Sequence, residues 1–291
     1  SPALLQYDTE SNIMVHVLHG APVVTHQKTY ATQTEERQMN TPVIDMHSHV
    51  GNDPSNGMVD DADAYIRTMD TAGVDRAPVS CIFYGDVTRC NDTTAAFVAK
   101  NPDRFMGVAF VTPFYPEQAI AELERAFDVL GMVFLKVYPS YVRKPIDDEA
   151  YKPILQWCND RSIIVKCHTE YMEGSNTYTD PDRFIDLAQT YTNIRWILAH
   201  SGNVREGQLR AVAAAQSSRN IYLETCSSWG DHGTIERLVE GAGEDRVLYG
   251  SDMPLLDARA QIGRIVTADI SQEAKRKVLG LNAAELLGIS V

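Results

Sequence analysis

The sequence predicts an α/β protein. It reads as a parallel (β/α)₈ barrel over residues 41–291, preceded by a short β-hairpin extension and linker in residues 1–40. Three observations predict it. From Thr41 onward, eight short runs rich in β-branched and apolar residues alternate with longer amphipathic stretches. No Gly-rich phosphate loop follows the first run, so the usual mark of an open doubly wound sheet is missing. No repeat with a period of roughly 20–50 residues is apparent, which argues against a solenoid.

The first forty residues differ from the rest. "IMVHVLHGAPVVTHQKTYATQ" alternates apolar and polar residues around a Gly-Ala-Pro turn and reads as a hairpin or two short strands. "TEERQMN" follows as a polar linker. His16, His19 and His26 lie on this edge hairpin and read as solvated side chains, not ligands.

The barrel strands are read in order as "PVIDMH" (42–47), "RAPVSCIF" (76–83), "RFMGVAFV" (104–111), "GMVFLKVY" (131–138), "IIVKCH" (163–168), "IRWILAH" (194–200), "NIYLET" (220–225) and "RVLYGSD" (246–252). Helix candidates between them include "DADAYIRTMDTAG", "PEQAIAELERAFDVLG" and "DRFIDLAQTYT". They open on Asp or Pro, and the first two close on Gly73 and Gly131, as helix boundaries do.

Polar residues fall at the strand ends. His47 and His49 close strand 1, Lys136 is near the end of strand 4, His168 closes strand 5, His200 strand 6 and Asp252 strand 8. In a parallel barrel all these ends converge on one face. His47 and His49 differ by two, so both can point into the same mouth. Gly250, two before Asp252, would leave room beneath that carboxylate. Imidazole nitrogens and a carboxylate oxygen suit Zn²⁺ and its first-row neighbours, with an open position left for water. A lone histidine reads as a satisfied, partly buried residue. Four histidines and an aspartate at the ends of successive strands read as a metal site.

These motifs resemble the amidohydrolase superfamily, in particular its amidohydrolase-2 (amidohydrolase-related) members. "HSH" (47–49) matches the family's HxH at strand 1. "VKCHTE" and "ILAHSG" match its strand-5 and strand-6 histidines, and "LYGSDMP" its strand-8 aspartate. The closing "LGLNAAELLGI" resembles its C-terminal helix. The resemblance covers about residues 41–291. It implies a TIM barrel of metal-dependent hydrolase type whose primary ligands are His47, His49, His168 and Asp252. Binuclear members carry a carbamylated strand-4 lysine, so Lys136 and His200 would join a second metal. One Zn²⁺ is the expectation and two the alternative.

The implied reaction is hydrolysis. Bound Zn²⁺ lowers the pKa of its water from about 15.7 to about 7. Asp252 would take that proton, and His200 would polarise the carbonyl of an amide, lactone or related substrate. The runner-up is a metal-dependent decarboxylase or hydratase (a lyase) acting on an aromatic or unsaturated acid. The remote third reading is a non-catalytic barrel with a structural zinc. Tyr138, Glu170, Tyr171 and Trp229 are candidate substrate contacts, on loops expected to ring the mouth; Arg143, Lys144 and Arg259 could hold a carboxylate, although loop cations are usually solvated. Cys167 alternates away from His168 and reads as core. Cys226, after strand 7, is harder to place.

Bulk composition narrows the partners. The net charge of -13 disfavours nucleic acid and anionic membrane. No apolar run approaches the ~20 residues needed to span a bilayer. Five cysteines without a CxxC pair argue for a reducing compartment, with cytoplasm as the expected location. The expected partner is a small-molecule substrate, and residues 1–40 leave room for a homo-oligomer arm.

Overall fold

The structure, a computed structural model, describes residues 5–8, 13–16, 41–174 and 178–290. The chain divides into two units, Ser1–Asn40 and Thr41–Val291. In the first, β1 (Leu5–Asp8) pairs antiparallel with β2 (Ile13–His16), Leu5 opposite His16. The sequence reading paired Ile13–His16 with a strand beyond the Gly-Ala-Pro turn, but its partner lies upstream. Only residues 9–12 separate β1 from β2, and a short loop closes at little entropic cost. The Gly-Ala-Pro turn, His19 and His26 lie outside the described residues.

The second unit is an eight-stranded parallel sheet in sequential order. Its strands are β3 (Ser48–His49), β4 (Ala77–Ser80), β5 (Phe105–Phe110), β6 (Phe134–Val137), β7 (Ile164–His168), β8 (Arg195–Ala199), β9 (Ile221–Glu224) and β10 (Val247–Leu248). The sheet closes into a barrel because the chain after β10 runs beside β3. Ser48 bridges Met253 in parallel, Met46 N donates to the Tyr249 carbonyl at 2.9 Å, and Asp252 N donates to the His47 carbonyl at 2.7 Å.

The helices begin and end where their local chemistry allows. Ala62–Ala72 starts after Asp61, whose carboxylate accepts from Ala64 N at 3.0 Å, and stops at Gly73 with φ 79°. Pro116–Asp128 opens on its proline. Ile44, Met46, Val108, Phe134, Ile164, Ile197 and Leu248 fill the barrel interior together with Ala283, Ala284 and Leu286 of the helix Asn282–Leu287. That helix therefore plugs the end of the barrel opposite the strand C-termini. The mouth is the end left for chemistry. Gly280, just before the plug, lies so close to Pro42 that a Cβ there would meet the Pro42 carbonyl. Gly280→Ala is expected to lower the unfolding free energy by about 1–3 kcal/mol through overpacking. A urea midpoint equal to that of the parent protein would show that the contact relaxes.

Two strand ends depart from the pattern read in the sequence. The first run is irregular between Ile44 and Ser48. There the Asp45 carboxylate accepts His47 N at 3.0 Å, withdrawing that amide from the sheet. In the last run, regular pairing stops at Leu248. Ser251 N donates to Asp45 Oδ1 at 2.8 Å, so one buried carboxylate fastens both chain segments where the barrel closes.

Candidate metal centre

His47, His49 and Asp252 come together at the barrel mouth. Asp252 Oδ1 is 3.1 Å from His49 Nε2 and 3.5 Å from His47 Nε2. Those ligand atoms all lie within 4.8 Å of one another. Asp252 Oδ1 is buried and accepts no hydrogen bond, despite facing two imidazoles. A buried carboxylate oxygen without a donor is costly unless a cation satisfies it. Two nitrogens and one such oxygen around a common point are a donor set that fits a divalent cation.

His168 stands at the same mouth. Its ring centroid is 4.6 Å from that of His200, which is 4.9 Å from His47. The buried His168 Nδ1 has no hydrogen-bond partner, a second orphaned donor-set atom. Lys136 Nζ is 3.2 Å from His47 Nε2. His200 occupies the left-handed region at φ 65°, as does Asp252 at φ 61°. Such backbone is sparsely populated and needs outside support. Asn203 N donates to the His200 carbonyl at 2.8 Å and Gly202 N to Thr169 Oγ1 at 3.0 Å, which hold the turn.

Burial dominates the electrostatics. It pushes His47 and His200 well below the ordinary histidine pKa and lowers His49 and His168 as well, with Lys136 adding to each shift. The four imidazoles are therefore neutral at pH 7, with lone pairs free for a cation. Burial pushes Asp252 up, but its neighbours His49, His200 and Lys136 hold it well below the usual carboxylate range. Below pH 6.5 the unfolded chain takes up protons that the folded imidazoles refuse, so the imidazoles' contribution to metal-free stability is full above pH 6.5 and falls as pH drops below it. Glu224, pushed by burial to about 7, and Asp45, which burial also raises, oppose this with two groups against the four imidazoles. The urea midpoint of chelator-treated protein is thus expected to be lower at pH 5.5 than at pH 8, and an unchanged midpoint would contradict the burial of the imidazoles.

The candidate substrate residues separate. Tyr138 stacks on His168 with centroids 4.3 Å apart, and Tyr141 stacks on Tyr138 at 4.0 Å. Glu170 Oε2 is 3.8 Å from His168 Nε2. Tyr171 is not brought to the centre, because its ring packs under the Arg210 guanidinium at 4.3 Å. Trp229 is 56% exposed on the loop after β9. Arg259 pairs with Asp257 on the surface. A separate groove of about 510 Å³ between Ala62–Ala72 and Met253–Arg259 includes none of the clustered histidines.

Four residues at or beneath the mouth did not figure as candidates in the sequence reading, and a fifth, Cys226, was weighed there without being placed. Phe83 packs edge-on to His49 at 5.6 Å. Asp45 anchors the barrel seam. Lys166, fully buried, donates to the Met46 carbonyl at 2.8 Å, and burial and then Lys136 lower its pKa to about 7. Glu224 and Cys226 sit under His47 and His200. Alternation was the available signal for two of them, since Lys166 precedes His168 by two and Glu224 precedes Cys226 by two. Gly250 leaves room for Glu224 and not for Asp252, because a Cβ there would meet the Glu224 carboxylate. Cys167 packs in the shell between barrel and helices.

The amidohydrolase-2 family model, described as "Amidohydrolase", matches residues 44–289. The chain belongs to the amidohydrolase family. Its similarity extends to a 2-amino-3-carboxymuconate-6-semialdehyde decarboxylase of Dictyostelium discoideum, 25% identical over 234 residues. That match takes in 68% of this chain and 65% of the relative, so the chain spans slightly less than two thirds of it. A gamma-resorcylate decarboxylase of Polaromonas sp. is 25% identical over 290 residues, covering 79% of this chain and 88% of the relative. Among solved structures, a 5-carboxyvanillate decarboxylase from Novosphingobium aromaticivorans, complexed with manganese and 4-hydroxy-3-methoxy-5-nitrobenzoic acid, superposes with a TM-score of 0.70 at 18% identity. It covers 86% of this amidohydrolase and 97% of that chain. At that identity the likeness speaks for the barrel alone. Among the described residues of this amidohydrolase, no helix is long and apolar enough to cross a membrane.

Proposed function

We propose that this amidohydrolase is a divalent-metal-dependent lyase that decarboxylates an aromatic or unsaturated carboxylic acid. The convergence of His47 Nε2, His49 Nε2 and the orphaned Asp252 Oδ1 at the mouth carries the reading. Both curated relatives are named decarboxylases, which moves the weight from hydrolysis, put first by the sequence, to the lyase. His47, His49, His168 and Asp252 would hold one cation. Manganese in the Novosphingobium structure makes Mn²⁺ as reasonable an occupant as Zn²⁺.

When bound, the cation supplies positive charge that holds an anionic substrate oxygen. The protein's own groups do the rest. Tyr138, stacked on His168, offers an aromatic face against which a planar acid can lie. The His200 Nδ1–H donates to the Cys226 carbonyl at 3.3 Å, which leaves Nε2 as an acceptor for a substrate hydroxyl. Asp252, ionised at neutral pH, would take the proton of an acidic substrate group and pass it to the carbon that loses its carboxylate. The C–C bond breaks, its electron pair stays on that carbon, and the proton joins it as carbon dioxide leaves.

Hydrolysis of a carbonyl substrate remains the second reading, because the same donor set would activate water. Products separate the two. The protein loaded with Mn²⁺ or Zn²⁺ is incubated with hydroxybenzoic acids, muconate semialdehydes, lactones and amides. Carbon dioxide release from an acid, abolished by chelator and restored by metal, is expected. A new acid with an alcohol or amine, and no carbon dioxide, would replace this reading with hydrolysis. A metal that neither exchanges nor supports turnover would leave the structural-zinc reading.

A further inference from the structure

Glu224 ends β9 fully buried, directly beneath the mouth. Its carboxylate is surrounded by donors. Oε2 lies 2.9 Å from His47 Nδ1, 3.2 Å from His200 N and 3.0 Å from Cys226 Sγ, and Oε1 accepts Cys226 N at 2.5 Å. Ser201 Oγ donates to the Glu224 carbonyl at 2.8 Å. One side chain thus joins β9 to the end of β8 and to the first histidine of the HxH.

We propose that Glu224 is a positioning residue that sets the tautomer and aim of His47. An imidazole that gives its Nδ1–H to a carboxylate presents a lone pair at Nε2. The other side of the ring agrees, because Lys136 Nζ donates toward His47 Nε2 at 3.2 Å. That same Nε2 faces Asp252 Oδ1 at 3.5 Å. Gly250 belongs to the device. A Cβ at Gly250 would run into the Glu224 carboxylate and come within 2.9 Å of His47 Cβ.

His47, His200, Glu224 and Cys226 could themselves be read as a second cation site, since one ligand atom of each lies within 4.8 Å of the others. The hydrogen bonding argues against it. Both Glu224 oxygens already accept amide protons, and Cys226 Sγ donates to Glu224 Oε2 at 3.0 Å. A cation there would displace a satisfied network instead of completing an unsatisfied one. The orphaned oxygen is on Asp252.

The inference rests on the proposed ligand role of His47, and the test separates the two. Zn²⁺ affinity is measured by competition with a chromophoric chelator for the full chain and for H47A, E224Q, E224D and G250A. E224Q is expected to bind about 10–100-fold more weakly, the usual effect of losing a ligand's hydrogen-bond partner. A Gln cannot accept from all these donors, because its amide nitrogen would face another N–H. E224D, which keeps the charge, should recover part of the loss, and G250A should weaken binding by displacing the carboxylate. A role in folding alone would shift unfolding midpoints and leave Zn²⁺ affinity unchanged, and that result in E224Q overturns the proposal. Full affinity in H47A would remove the ligand reading and this inference with it. Should E224Q not fold, the Zn²⁺-loaded parent protein still decides by ¹⁵N-histidine NMR. A hydrogen-bonded proton on His47 Nδ1 supports the proposal, and a bare Nδ1 overturns it.

Discussion

Asp252→Asn is expected to lower kcat by about 10²–10⁴-fold, the range that a positioned proton-transfer group contributes. The fold should survive the change. Asn has the shape of Asp, and it is among the few residues that tolerate the left-handed backbone that Asp252 adopts at φ 61°. The amide that donates to the His47 carbonyl at 2.7 Å is untouched. What is lost is chemical. Asn cannot take up a proton and pass it to carbon, and it replaces an anionic oxygen facing His47 and His49 with a neutral one. Metal affinity should therefore fall together with kcat. The measurements are carbon dioxide release at saturating substrate and the thermal midpoint of the metal-free protein. A turnover within fivefold of the parent would take Asp252 out of the proton path.

The second large effect is on metal content. His47→Ala and His168→Ala should each reduce bound metal, after gel filtration, from about one equivalent to a small fraction, because each removes one of the proposed nitrogen donors. His168→Ala has a further consequence. Tyr138 loses the ring on which it stacks at 4.3 Å, so any activity restored by excess metal should show a raised KM. His47→Ala leaves Glu224 buried without its imidazole and should also destabilise the fold. Elemental analysis of both variants is the check. Full occupancy in either would mean that the cation is held by other groups.

Much of this was legible in the chain. The eight runs mark the eight strands because parallel strands buried on both faces must be almost continuously apolar. Lys136 and His168 lie in β6 and β7, where those runs place them. Phe134, Lys136 and Tyr138 follow simple alternation, as do Ile164, Lys166 and His168. Less was legible of what lies beneath the mouth. Glu224 stands near the end of its strand run as one more carboxylate, and nothing in the run shows that its hydrogen bonds go to His47 and to two backbone amides. Backbone donors leave no trace in residue identity. Tyr171 and Trp229 sit on the loops expected of them, yet loop position says nothing about the direction of a side chain.

Sequence by itself determined the barrel, the helix starts at Asp61 and Pro116 and the kind of atom offered at each strand end, because periodicity and side-chain chemistry are local properties; the helix from Pro116 stops at Asp128, short of the Gly131 read as its end. Tertiary structure decided which of those atoms meet. Ile44 and Met46 point into the barrel interior, so strict alternation would turn His47 and His49 away from it. They reach the mouth because Asp45 captures the His47 amide and breaks the regular strand. His200 follows Ala199 into the site through a left-handed turn. Both departures are held by partners far away in the chain, Ser251 for Asp45 and Glu224 for His200. Hydrogen bonds that span more than two hundred residues, or that end on backbone amides, exist only once the barrel has closed.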